Sequence, residues 1–186
     1  VFGPRALLVL AVCAASAVAT EAACARLMGR PLAIADGSAL VTGLLLGMNL
    51  SAGTPWWICA IGSVMAIGLG KMIYGGLGYN PFNPALVGRV ALLLAFTTPL
   101  TTWVKPAGPF AWLTHTDAMT AATPLGTLGT LGRWVPEQVM SVGGQPITYL
   151  DLFLGRVGGC VGETSALALL LGGALLVARR LIRWEL

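Results

Sequence analysis

Charge is scarce in this sequence. Of its 186 residues, 10% are Asp, Glu, Lys or Arg, where a water-solvated domain carries about 25%. That shortage excludes a chain whose whole surface meets water. The net charge of +4 comes from basic residues scattered beside apolar runs, so they read as topology markers and no nucleic-acid partner is expected. The four cysteines, Cys13, Cys24, Cys59 and Cys160, include no Cys-x-x-Cys pair. They are read as small hydrophobes at helix contacts, and no metal site is expected. Histidine occurs once, at His115. A solvated loop position is the plain reading there, and a proton relay the sharper one. The opening apolar run lacks a basic leader and flows into a basic loop, so no signal peptide is expected. Starting at Val1 and ending just past a basic cluster, the sequence is expected to be part of a longer protein.

What is present is apolar and small. Hydrophobic residues make up 56% of the chain, with 25 Gly and a mean hydropathy of +0.83. That combination predicts an all-α polytopic membrane protein, because small residues let membrane helices approach closely. Apolar runs cover residues 6–27, 38–50, 56–74, 85–96 and 164–182. The second and fourth fall short of the ~20 residues a simple span needs, which points to discontinuous helices of a transporter-like fold. Arg26 and Arg30, Lys71, and the cluster Arg179, Arg180 and Arg183 mark one side, expected to be the cytoplasm. On that scheme each run crosses once, and the segment from about 98 to 162 falls outside. Arg5 also falls outside, a mild cost. Trp56, Trp57, Trp103 and Trp112 fit the outer interface. Met48, Met65 and Met72 read as packing.

An internal echo links "DGSALVTGLLLG" (residues 36–47) with "ETSALALLLGG" (residues 163–173). Helix N-capping explains it, and so does a structural repeat. "GGLGYNPFNPALVGR" (residues 75–89) carries two Asn-Pro pairs. Each Pro disfavours helix in the residue before it. The stretch is a loop joining two helices, or irregular backbone lining a cavity with Asn80 and Asn83 as polar contacts. Arg89 needs a partner or an interface to reach; snorkelling is the plainer reading. Glu21, inside the first run, is a functional candidate by position, and otherwise a snorkelling or paired carboxylate.

Residues 115–126, "HTDAMTAATPLG", turn polar and threonine-rich in an otherwise apolar chain. A threonine hydroxyl is a poor nucleophile unless activated or acted on by a modifying enzyme. By composition alone this is a hydroxyl-rich loop.

Four blocks, "ADGSALVTGLLL", "KMIYGGLGYNPFNPALVGRVALLLAF", "DAMTAATPLG" and "GETSALALLLGG", resemble the RnfD family, the membrane D components of the Rnf electron-transport complex. That family is related to the B components of the sodium-pumping NADH:quinone oxidoreductase. The resemblance implies FMN joined through its phosphate to Thr123, with Asp117, Thr120 and Ala122 as the rest of the attachment motif. Ala121 departs from the glycine common there but stays small. It also implies a noncovalent riboflavin and a flavin transferase that loads the loop from FAD. Asn80, Asn83 and Arg89 are candidates for lining a cofactor site, and no riboflavin pocket is assigned. The implied fold is an inverted-repeat, urea-transporter-like helical bundle of which this is a partial chain. Residues 1–97 would hold membrane helices with an Asn-Pro-rich connection at 75–84, residues 98–162 the extracytoplasmic flavin-carrying loop, and residues 163–186 the helix opening the second repeat.

The expected function is a redox subunit of a ferredoxin:NAD oxidoreductase-type complex in the bacterial inner membrane. It would pass electrons through covalent FMN and couple them to Na⁺ or H⁺ translocation, beside the other Rnf components (A, B, C, E and G). The subunit is not expected to be catalytic alone. A channel or transporter for a small polar solute, without redox activity, fits the broken helices equally well; a scaffold for partner subunits is a third possibility and predicts neither flavin nor transport.

Overall fold

The structure is a computed structural model that describes residues 3–31, 34–104 and 148–182. Its regular elements among these residues are helices, and they follow the apolar runs. α1, Gly3–Leu27, is 25 residues long, about 37 Å by the helical rise. It is the one described helix long and apolar enough to cross a bilayer core. Its buried positions Val9, Cys13, Ala17, Glu21 and Ala25 recur every fourth residue, a narrow stripe of mostly small side chains. Large apolar residues off the stripe, such as Leu7 and Leu8, stay exposed.

α2, Ser38–Met48, has only 11 residues, about 16 Å. It lies against α1 through Gly43 and Gly47, four residues apart and so on one face. A Cβ at Gly43 would stand 2.6 Å from the Cys13 carbonyl oxygen, and one at Gly47 would stand 3.0 Å from Leu10 Cδ2. Beyond Met48 the chain leaves the helix yet stays buried at Leu50, Ser51, Ala52 and Thr54. Irregular buried backbone needs partners for its polar groups. Here Val161 N–H donates to Leu50 O at 3.0 Å and Gly162 N–H to Met48 O at 2.9 Å.

α3, Trp56–Ile67, continues into a π-helical turn, Gly68–Met72. Ser63 Oγ on α3 donates to Cys13 O of α1 at 3.0 Å and to its own Cys59 O at 3.1 Å. α4, Pro84–Ala95, starts with Asn83 as N-cap and Pro84 in its first turn, a favoured combination. It packs on α3 where a Cβ at Gly88 would lie 2.7 Å from Gly62 O. At the other end Phe96 meets Trp57 edge-on, with ring centroids 5.3 Å apart at 84°. The short α5, Thr97–Thr101, follows.

α6, Tyr149–Leu154, opens with a Thr148–Asp151 capping box and closes at Gly155, whose φ of 81° suits glycine. The glycine-rich residues 157–160 are then buried. α7, Ala166–Ala178, has Ser165 as N-cap and no buried residue. Of the cysteines, Cys13, Cys59 and Cys160 are buried, Cys24 is half-buried and all are free. That is how small hydrophobes at helix contacts behave. Met72 is buried, while Met48 and Met65 are exposed.

Candidate functional site

The sequence-derived attachment residues Asp117, Thr120, Ala122 and Thr123, with His115 and Trp112, lie outside the described residues. The other three candidates are described. Asn83 Oδ1 accepts from Ala85 N–H at 3.0 Å, the N-cap of α4. Asn80 Nδ2 donates to Phe82 O at 2.9 Å inside the same connection. Gly75, Leu77, Gly78, Tyr79 and Pro81 to Asn83 are all exposed, so this stretch is a loop between helices. Arg89, half-buried on α4, lies elsewhere, its Nη1 3.6 Å from Cys160 Sγ.

The polar groups that the fold does gather are at the opposite end of the bundle from Trp57. Glu21 on α1 and Lys71 in the π turn form an ion pair through Lys71 Nζ and Glu21 Oε1. Both are deeply buried, at 3% and 2% exposure. Lys71 Nζ also donates to Ser38 Oγ at 2.5 Å. Ser38 Oγ in turn donates to Asp36 Oδ1 at 2.5 Å, which also accepts the Ser38 N–H at 2.8 Å. Those two bonds to Ser38 hold the exposed Asp36 carboxyl below its ordinary range.

Local structure places each group. Glu21 occupies the buried i, i+4 stripe of α1. Ser38 starts α2 directly after a short 3₁₀ turn, Ile34–Asp36, and Gly37, whose φ is 69°. Lys71 is brought in by the wide turn, in which Ile73 N–H reaches back to Gly68 O at 3.1 Å. Gly70 makes room, because a Cβ there would stand 2.8 Å from Pro84 Cα. A buried ion pair is costly to desolvate, and removing one partner costs about 3–5 kcal/mol. Sequence reading marks Glu21 by its position and treats Lys71 as a topology marker. The structure adds to the second that Lys71 is enclosed and paired. Nothing in the residue spacing joins positions 21, 36, 38 and 71, although a charge inside an apolar run implies a partner.

The sequence profile of the NQR2, RnfD, RnfE family matches residues 1–186. Three relatives, each the D component of its complex, are similar along the whole chain. The first belongs to the ion-translocating oxidoreductase complex of Stutzerimonas stutzeri. It is 44% identical over 201 residues, which cover 100% of this chain and 56% of that protein. The second belongs to the Na(+)-translocating ferredoxin:NAD(+) oxidoreductase complex of Acetobacterium woodii. It is 43% identical over 188 residues, covering 100% and 54%. The third belongs to the proton-translocating ferredoxin:NAD(+) oxidoreductase complex of Clostridium ljungdahlii. It is 41% identical over 185 residues, again covering 100% and 54%. The chain spans about half the length of these curated relatives.

Proposed function

This chain belongs to the NQR2, RnfD, RnfE family, and on that premise we propose that it is the flavin-carrying part of the D component in an ion-translocating ferredoxin:NAD oxidoreductase complex. The observation that carries the proposal is the match along the whole chain to relatives named for that activity. FMN is attached by a phosphoester to Thr123, within the "TAAT" of residues 120–123, where Asp117, Thr120 and Ala122 complete the motif read by a flavin transferase. When bound, the isoalloxazine supplies the redox chemistry, and the chain supplies its anchorage. Riboflavin is a second, noncovalent cofactor of the subunit. The other Rnf components (A, B, C, E and G) are the partners.

The helices cross the bacterial inner membrane several times, with the Thr123 loop outside. The alternation is supported by the bonds among Glu21, Ser38 and Lys71, since these join the end of α1, the start of α2 and the end of α3. Trp56 and Trp57, exposed at the start of α3, suit the opposite interface. The fold is an inverted repeat of the urea-transporter-like kind, with α7 opening the second half. The shared Ser-Ala-Leu at the starts of α2 and α7 supports that. The translocated ion is Na⁺ or H⁺. Relatives named for each ion are almost equally similar to this chain, so identity alone does not choose between them.

The test is a denaturing gel under ultraviolet light. Protein made in cells with the transferase is expected to give a fluorescent band that Thr123→Ala abolishes. A dark wild-type band would overturn the flavin assignment and favour a channel without redox activity.

A further inference from the structure

Two of the four cysteines meet. Cys13 on α1 and Cys59 on α3 are both 0% exposed and belong to one apolar cluster with Val9, Leu46, Ile58 and Leu92. Their thiols hydrogen-bond to each other. A single hydroxyl fixes the backbone on either side, since Ser63 Oγ lies 3.0 Å from Cys13 O and 3.1 Å from Cys59 O. α2 closes on the same turn of α1, where a Cβ at Gly43 would meet Cys13 O at 2.6 Å. The pair therefore sits where three helices meet. Cys160 lies instead against Arg89, and Cys24 is half-buried. Among the described residues no Lys, Arg, Asp or Glu belongs to the cluster around the pair. Two thiolates around a monovalent metal would leave a net negative charge there, which an apolar setting penalises. A disulfide is neutral. Cys59 stands in the first turn of α3, at the end that carries the exposed Trp56. Its sulfur lies 4.0 Å from Thr54 O, and the buried Thr54 Oγ1 has no hydrogen-bond partner among the described residues. A buried hydroxyl without a partner suits a polar guest about the size of water.

We propose that Cys13 and Cys59 are an oxidative modification site, which hydrogen peroxide converts to a disulfide that staples α1 to α3. One thiol loses its proton and its sulfur attacks a peroxide oxygen. The O–O bond breaks, the sulfur becomes a sulfenic acid, and the departing oxygen takes the proton and leaves as water. The second sulfur, already in contact, attacks the first. The S–O bond breaks, an S–S bond forms, and the second thiol's proton leaves in a second water. The two sulfurs together lose two electrons, and the peroxide that gains them becomes two waters. The first step is slow, because an apolar setting disfavours a thiolate. The second is fast, because the partner is in place. Bulkier thiols are kept from a pair with no exposed surface, so the bond outlasts the oxidant. The inference is independent of the flavin and of the translocated ion.

The test uses the unaltered full-length protein in native membranes. They are treated with hydrogen peroxide, cleared of it with catalase, denatured in N-ethylmaleimide and digested without reductant. Mass spectrometry is expected to find the Cys13 and Cys59 peptides joined and lighter by two hydrogens, and both free thiols lost in step. Sulfenic acid does not accumulate, because the second step is the faster one. The exposed Met28 reports the dose, since its sulfoxide marks effective oxidant. Cys13 and Cys59 still alkylated at a dose that oxidises Met28 overturn the proposal. So does either of them joined to another cysteine, or carried on to sulfinic acid with no link formed.

A second arm reads the staple itself. A bond between residues 13 and 59 restrains the unfolded chain, so peroxide is expected to raise the dodecyl sulfate concentration at which the detergent-solubilised protein loses its helices. Cys59→Ala has no partner to offer and is expected to show no rise. A wild-type midpoint that stays put while the linked peptide is present, or one that moves equally in Cys59→Ala, also overturns the proposal. The linked peptide decides even where the variant does not assemble.

Discussion

Ser-Ala-Leu stands at the start of both α2, where Ser38 is the first helical residue, and α7, where Ser165 is the N-cap, yet the two helices occupy opposite situations. α2 buries Ala39, Thr42, Gly43, Leu46 and Gly47, while α7 buries nothing. Both carry two glycines. In α2 they are four apart and share a face, so they open a groove into which α1 settles. In α7 Gly172 and Gly173 are adjacent and turn away from each other by about 100°. Neither of them has an atom within 4 Å of an added Cβ. Apolar content says that a helix avoids water. The spacing of its small residues says whether another backbone comes close.

The largest effect expected from that contrast is at Gly43. Valine there would drive a side chain into the Cys13 carbonyl and Ala14 Cα, both under 3 Å from the ideal Cβ. Backbone on the far side cannot rotate away, so the loss is about 3 kcal/mol. Gly172→Val on α7 meets open space and is expected to change stability by less than about 0.5 kcal/mol. Dodecyl sulfate titration of the detergent-solubilised protein, followed by helical circular dichroism, measures both. A Gly172 variant as damaged as the Gly43 variant would break the comparison, because it would mean that α7 is packed as α2 is.

The elements were legible in the sequence to an unusual degree. The runs at 6–27, 38–50, 56–74, 85–96 and 164–182 became α1, α2, α3 with its π turn, α4 and α7. Hydrophobicity is written residue by residue, and a helix needs no distant partner to satisfy its backbone. Tertiary partners were less legible. The Asn-Pro stretch read equally as loop or cavity lining, and the bond from Ala85 N–H to Asn83 Oδ1, which caps α4, was not foreseen. Residues 160–162 gave no sign that they would bond to the broken end of α2. Glu21 announced itself by being acidic inside an apolar run. Lys71 sat at a run's end, where a snorkelling lysine and an enclosed one look the same. The 50 positions between them carry no pattern that joins them. The proposed attachment at Thr123 rests on resemblance alone, since threonine-rich stretches are common and chemically bland.

The caps of the helices sharpen the contrast at a smaller scale. Asn83→Ala removes the bond to Ala85 N–H and is expected to cost about 1 kcal/mol. α4 is packed on α3, so the loss should lower the global unfolding midpoint. Ser165→Ala removes the 3.2 Å bond from Ala168 N–H, a similar local loss. On an unpacked helix that loss has little to propagate through. Faster amide exchange at residues 166–168 is expected, with the global midpoint unmoved. A midpoint shift as large as that of Asn83→Ala would argue that α7 unfolds together with the bundle.

The smallest expected effect separates the two Ser-Ala-Leu starts by pH. α7 is capped by a hydroxyl, which does not titrate in the usual range. α2 is preceded by Asp36, whose carboxyl accepts both the hydroxyl and the amide of Ser38. Those bonds depress its folded-state value below the ordinary 3.8. A depressed carboxyl contributes stability that is present in full above its ordinary value and is lost as pH falls through the folded one. The difference between wild type and Asp36→Asn in amide exchange over the first turn of α2 should therefore be constant above about pH 5 and shrink below 3.8. Asp36 is exposed, so water screens the interaction and the change is small. The first turn of α7 should show no such dependence. A difference that instead grew as pH fell would mean that Asp36 is held protonated in the folded state. The Ser38 hydroxyl would then have lost the acceptor that lets it take a bond from Lys71.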